Sequence, residues 1–96
     1  MDSTREIKQK LSKLKIRLKK RYPISSMALF GSYARNEQTE ISDIDIMVEF
    51  DGRIGSRFID LANELENALG VKVDLVSKKG IKDHYLKAIQ SEFIYV

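Results

Sequence analysis

The sequence predicts an α/β domain of the α+β kind, a small mixed sheet of three to four strands flanked by helices in the order α-β-α-β-α-β-α, with a last β-strand optional. Three observations lead there. Apolar residues recur at helical spacing and at strand spacing in alternating blocks along the chain. The 96 residues suffice for one compact domain and are too few for two, and 43% of them are apolar, enough for an ordinary core. No repeat, low-complexity tract or long linker interrupts the pattern, so residues 1–96 are read as a single domain, with a basic helix in 1–22 and the core in 24–96.

Ser3 with Glu6 three residues later forms a capping box, and Ile7, Leu11, Leu14 and Leu18 follow in one narrow stripe, which predicts a helix over 4–21. Ile16 falls on the opposite side of that wheel, among lysines; a stray exposed residue is the commoner reading and part of a partner surface the alternative. Pro23 cannot continue the helix, and Ile24–Phe30 reads as a short buried strand. Gly31-Ser32 opens a helical turn or two through Tyr33, Ala34 and Arg35 before a polar loop. From Ser42 the pattern alternates strictly: Ile44, Ile46, Val48 and Phe50 face one way, and Asp43, Asp45, Met47 and Glu49 the other.

After the Asp51-Gly52 loop, Ser56 is placed to cap a helix whose apolar face is Phe58, Leu61, Ala62, Leu65 and Leu69, ending at Gly70. Val71–Ser77 alternates again, with Asp74 on the face opposite Val73 and Leu75. Residues 81–91 read as a helix with Ile81, Tyr85, Ala88 and Ile89 inward, and Phe93–Val96 as the optional terminal strand.

Composition removes several functional classes. The longest apolar runs, Met27–Phe30 and Phe93–Val96, are far below the roughly 20 residues of a bilayer span, so no membrane role is expected. The first residues run straight into a basic amphipathic pattern without an apolar leader segment, and the mature chain is expected to begin there. With no cysteine there is no disulfide, thiolate zinc site or cysteine nucleophile, which fits a cytoplasmic protein. His84 is the one histidine, too few for an imidazole metal site, and is read as a surface residue. A bound metal would have to be held by carboxylates. The net charge of +3 hides an asymmetry: residues 1–22 carry nine basic and two acidic side chains. A solvated helix face is the commoner reading of such a segment, and contact with nucleic acid is the alternative.

The chemistry concentrates in Phe30-Gly31-Ser32 and, ten residues on, Asp43-Ile44-Asp45-Ile46. A glycine where a buried strand meets a helix lets a ligand approach the backbone, and the free amides there suit phosphate. Aspartates at i and i+2 on one strand face lie roughly 6 to 7 Å apart at the backbone, close enough to share a hard cation such as magnesium. Unneutralised, two carboxylates about 5 Å apart repel by roughly 3 kcal/mol at an effective dielectric of 20. A third aspartate, Asp74, would add to that cost if its strand is adjacent, and a divalent cation would remove it. Taken singly, Gly31-Ser32 is an ordinary turn, Asp43 and Asp45 are a solvated strand face, and Asp74 is one polar residue on a half-exposed strand. Together they point to a site. Tyr33 and Tyr85 are read as packing residues.

Phe30-Gly31-Ser32 followed by Asp43-Ile44-Asp45-Ile46 resembles the signature of the nucleotidyltransferase superfamily typified by DNA polymerase beta. Gly-Ser-Tyr-Ala-Arg (Gly31–Arg35), Ser42-Asp43-Ile44-Asp45 and the Val-Asp-Leu-Val run around Asp74 narrow the resemblance to the minimal nucleotidyltransferases of the antitoxin kind, over about residues 24 to 96. Many members have glycine directly after the arginine. This chain has Asn36, which tolerates left-handed backbone better than most residues, so the turn is expected to survive.

The resemblance implies that Asp43 and Asp45 hold two magnesium ions, that Asp74 binds one of them and helps take a proton from an acceptor hydroxyl, and that Gly31 and Ser32 hold the β- and γ-phosphates of a nucleoside triphosphate, ATP in the usual case. Arg35 is a candidate for further phosphate contact, equally well read as a surface ion pair with Glu37 or another acid. The family's usual partner is an all-helical HEPN-type toxin whose tyrosine receives AMP. Two other classes compete: a non-catalytic protein that binds its partner on the same fold, and a nucleic-acid-binding module working through the basic helix. The oligomeric state, a homo-oligomer included, is left open.

Overall fold

The computed structural model describes residues 2–96 and contains a four-stranded mixed sheet in the order β3-β2-β1-β4. Its strands are β1 (Ile24–Phe30), β2 (Ile44–Phe50), β3 (Val73–Ser77) and β4 (Ile94–Tyr95), and its helices are α1 (Thr4–Leu18), α2 (Gly31–Ala34), α3 (Arg57–Leu69) and α4 (Asp83–Ile89). β1 pairs antiparallel with β2 and β4, while β2 pairs parallel with β3 through the α3 crossover. The optional last strand is therefore present. Among the described residues no helix is long and apolar enough to cross a membrane.

The capping box forms as expected: the Ser3 hydroxyl accepts from the Glu6 amide at 3.1 Å, and Glu6 Oε1 accepts from the Ser3 amide at 3.2 Å. Ile7, Leu11, Leu14 and Leu18 are all buried, so the predicted stripe is the packed face of α1. The helix stops at Leu18 instead of residue 21. Tyr22 is the cause, because burying its ring in the core turns Lys19, Lys20 and Arg21 outward in a turn before Pro23. Ile16 is exposed on the far side, as expected.

The sheet has two unlike coverings. On one face Met27, Leu29, Ile44, Ile46, Val48 and Val73 pack against the α1 stripe and against Leu61, Leu65 and Leu69 of α3. On the other, a smaller cluster of Ala28, Phe30, Met47 and Ile89 is completed by Val76, Ile81 and Phe93. Burial of Met47 shows that the aspartate-bearing face of β2 is covered over part of its length.

Two local expectations fail. Ser56 makes no side-chain cap; α3 instead starts on backbone bonds such as Phe58 N–H to the Gly55 carbonyl at 3.2 Å. Its other end is as expected, with Gly70 left-handed at φ 70°. In α4, Tyr85 and Ala88 are exposed, and Leu86 and Ile89 turn inward. A seven-residue helix has apolar residues on more than one side, and its phase is set by what it packs on.

Candidate active site

Three backbone segments meet at one end of the second face. The register sets Phe30 of β1 opposite Asp45 of β2, and Asp45 opposite Asp74 of β3. Adjacent strands lie about 4.8 Å apart, so this alignment alone brings the two carboxylates side by side. Gly31 follows Phe30 directly and has φ 73°. A Cβ built there would sit 2.0 Å from Asp45 Oδ2 and 2.9 Å from its Cγ, so the side-chain oxygen of Asp45 fills the space that any other residue at 31 would need. Position 31 is glycine for two independent reasons, handedness and contact.

The cleft encloses about 410 Å³. Its polar side is Gly31, Ser32, Arg35, Asp45, Asp74 and Glu92, and its apolar wall is Phe30, Val76, Ile81, Tyr85 and Ile89. Asp45 is half-buried at the edge of the small cluster, and its carboxyl is pushed up to about 6, first by burial and then by the charges of Asp74 and Asp43; a hydrogen bond with Asp74 adds to the shift and Arg35 opposes it. Asp74 is exposed at the rim. Asp43 precedes β2, is exposed and does not line the cleft, so it reaches Asp45 through its charge. Of the three predicted acids, two are brought together and the third flanks them.

Arg35 follows α2 outside the core. Its Nε donates to Glu37 Oε1 at 2.8 Å, the ion pair foreseen from sequence, and its Nη1 donates to Glu92 Oε1 at 3.1 Å and Oε2 at 3.2 Å. These partners hold the guanidinium above its ordinary pKa. Asn36 adopts φ 57°, so asparagine keeps the left-handed turn. The Thr4 hydroxyl donates to the Tyr33 carbonyl, which ties the start of α1 to this loop. Tyr33 is buried, as predicted; Tyr85 is half-exposed and lines the cleft.

Glu92 and the apolar wall were not foreseen. The wall is assembled from the end of β1, from β3 and from residues 81–89, and Glu92 is brought in where β4 returns beside β1; a single glutamate carries no local signal of that return.

The donor chemistry fits a hard divalent cation: two adjacent carboxylates, one half-buried and held above its ordinary pKa by its neighbours, are relieved by a positive charge between them. Among the described residues no three His, Asp or Glu side chains are already disposed as a metal cage.

The profile of the nucleotidyltransferase domain family matches residues 11–96. The chain belongs to the nucleotidyltransferase domain family. Among curated relatives, this nucleotidyltransferase is 52% identical over its whole length, and over the whole of the other chain, to a Methanocaldococcus jannaschii protein named "Putative protein adenylyltransferase MJ1379". It is 41% identical to the protein adenylyltransferase MntA of Thermococcus cleftensis, over 95% of this chain and 93% of that one.

Among solved structures, one described as a "putative minimal nucleotidyltransferase" superposes with a TM-score of 0.81 at 31% identity, covering 97% of this chain and 95% of that chain. A toxin–antitoxin crystal structure with AMP-PNP superposes at 0.61 with 31% identity, covering 76% of this chain and 60% of that chain. A complex of a tri-AMPylated Shewanella oneidensis HEPN toxin with its MNT antitoxin, 24% identical with a TM-score of 0.63 over 90% of this chain and 66% of that one, shares the fold.

Proposed function

We propose that this nucleotidyltransferase is a magnesium-dependent adenylyltransferase that moves AMP from ATP to an acceptor hydroxyl, a tyrosine of a helical HEPN-type toxin, and so acts as a cytoplasmic antitoxin. The observation that carries the reading is the pairing of Asp45 with Asp74 beside a glycine against which the Asp45 carboxylate sits. The relatives named as protein adenylyltransferases support the reaction class, and the toxin–antitoxin complexes of the same fold support the partner.

In this reading Asp43, Asp45 and Asp74 would hold magnesium, which when bound would polarise the α-phosphate and neutralise the departing pyrophosphate. The rest falls to the chain itself. Gly31 lets phosphate oxygens approach the backbone, the Ser32 hydroxyl and Arg35 guanidinium bind them, and the wall of Val76, Ile81 and Tyr85 seats the nucleobase. Asp74, exposed at the mouth, faces the incoming acceptor and takes the hydroxyl proton as general base. The acceptor hydroxyl would enter at the open mouth of the cleft, where Asp74 is exposed.

The test is transfer of label from α-phosphate-labelled ATP to a helical toxin partner, or to proteins of a cell extract, by this chain and by an Asp43→Asn, Asp45→Asn variant. A labelled band that needs both magnesium and the aspartates is the expected result. Folded protein that labels nothing with ATP, CTP, GTP or UTP would instead favour a small-molecule acceptor or a non-catalytic partner-binding protein.

A further inference from the structure

The phosphate cradle is already engaged by a carboxylate of the chain's own. Glu92 Oε1 accepts from the Gly31 amide at 3.1 Å and from Arg35 Nη1 at 3.1 Å, and Glu92 Oε2 accepts from the same Nη1 at 3.2 Å. Among the described residues Arg35 is the only cationic side chain lining the cleft, against the carboxylates of Asp45, Asp74 and Glu92. A polyphosphate entering beside Gly31 therefore meets a surplus of like charge, and the one guanidinium that could receive it is spent.

The backbone that carries Glu92 is fixed. Phe93 packs edge-to-face on Phe30 with ring centroids 5.9 Å apart, Ile94 and Tyr95 stand in register with Leu29 and Ala28, and Ile89 is buried. Moving the turn would unpair β4. The Glu92 side chain, 24% exposed at the rim, can leave by rotating about its own bonds. A phosphate offers the same atoms that the carboxylate now supplies: two anionic oxygens, spaced to accept from a guanidinium and a backbone amide.

We infer that Glu92 is a built-in stand-in for a nucleotide phosphate: it holds Gly31 and Arg35 in receiving geometry while the cleft is empty, rotates out when a polyphosphate binds, and thereby sets nucleotide affinity low. This rests on the nucleotidyl-transfer reading, which supplies the ligand. It makes Glu92 an affinity-determining residue outside the aspartate signature, and it gives Arg35 both of the roles between which the sequence alone does not choose.

Calorimetric titration of wild type and Glu92→Gln with a non-hydrolysable ATP analogue and with tripolyphosphate, both with magnesium, tests it. Glutamine keeps the shape and the acceptor oxygen without the charge, so both ligands should bind about tenfold more tightly, the size of one charge-assisted contact regained. The ligand-free variant should melt no higher than wild type, because Arg35 loses a partner. A purely structural Glu92 would instead lose affinity together with stability. Adding Arg35→Gln to Glu92→Gln should abolish the gain; a gain that survives overturns the inference. If wild type binds the analogue and Glu92→Gln binds it no better, the inference is wrong and the nucleotidyl-transfer reading stands. Failure of both proteins to bind either ligand overturns both.

Discussion

The face of the sheet beneath α1 and α3 is sealed by Ile7, Leu11, Leu61 and Leu65, each fully buried, whereas the cover on the opposite face stops at Ile89 and leaves Asp45 and Asp74 side by side in an open cleft. The same strands build both. Alternation sends Ile44, Ile46 and Val48 into the closed side and Asp45 and Met47 to the other, so one residue step separates a stability position from a site position. The sealed face contributes the packing that allows the open face to keep Asp45 half-buried beside the charge of the exposed Asp74. Substitutions on the two faces should therefore separate stability from activity.

The largest stability effect is expected on the sealed face. Leu65→Ala leaves a cavity at a fully buried site and should cost about 3 kcal/mol in urea denaturation, while the KM for nucleotide in the surviving folded protein stays within twofold. A large change in KM from this substitution would mean that the two faces are coupled and the contrast is too sharp.

Gly31→Ala should do the reverse. Its Cβ cannot coexist with Asp45 Oδ2 at 2.0 Å, and alanine at φ 73° costs about 1 to 2 kcal/mol, so a modest loss of stability should accompany a loss of transfer on the order of 100-fold. Label transfer by Gly31→Ala at the wild-type rate would show that the Asp45 carboxylate need not sit against the backbone.

The smallest effect is in pH. In the unfolded chain Asp45 titrates near the ordinary carboxylate value of 3.8, and in the folded protein at about 6, so the folded state holds the extra proton between those values. Metal-free stability should accordingly fall as pH rises from about 4 to 7, by about 1 kcal/mol once the water reaching the cleft is allowed for, and Asp45→Asn should flatten that slope. A stability profile that rises through the same window would show that Asp45 is not held against its own charge.

Much of this contrast can be read in the sequence, because it depends on periodicity. The stripe of α1, the alternation of β2 and the spacing from Gly31 to Asp45 follow from residue order and predict both faces. The left-handed turn at Asn36 was likewise legible, since few residues tolerate it. What could not be read depends on distant pairing. Glu92 reaches Gly31 only because β4 lies beside β1, sixty-one positions away along the chain, and no local pattern encodes that return. The end of α1 was decided by burial of Tyr22, and the phase of α4 by the covering of Met47, both tertiary effects that override local propensity. The convergence of Asp45 and Asp74 was inferred from sequence on the condition that their strands are neighbours, and the parallel register of β2 and β3 meets that condition.

The most direct test of the strained carboxylate pair is the melting temperature of wild type and Asp45→Asn at pH 7.5, each with and without millimolar magnesium. The account predicts that metal-free Asp45→Asn melts several degrees above wild type, about 4 to 8 °C for each kcal/mol relieved in a domain of this size, and that magnesium raises wild type while leaving the variant unmoved. Equal metal-free melting temperatures, with no response of wild type to magnesium, would contradict it.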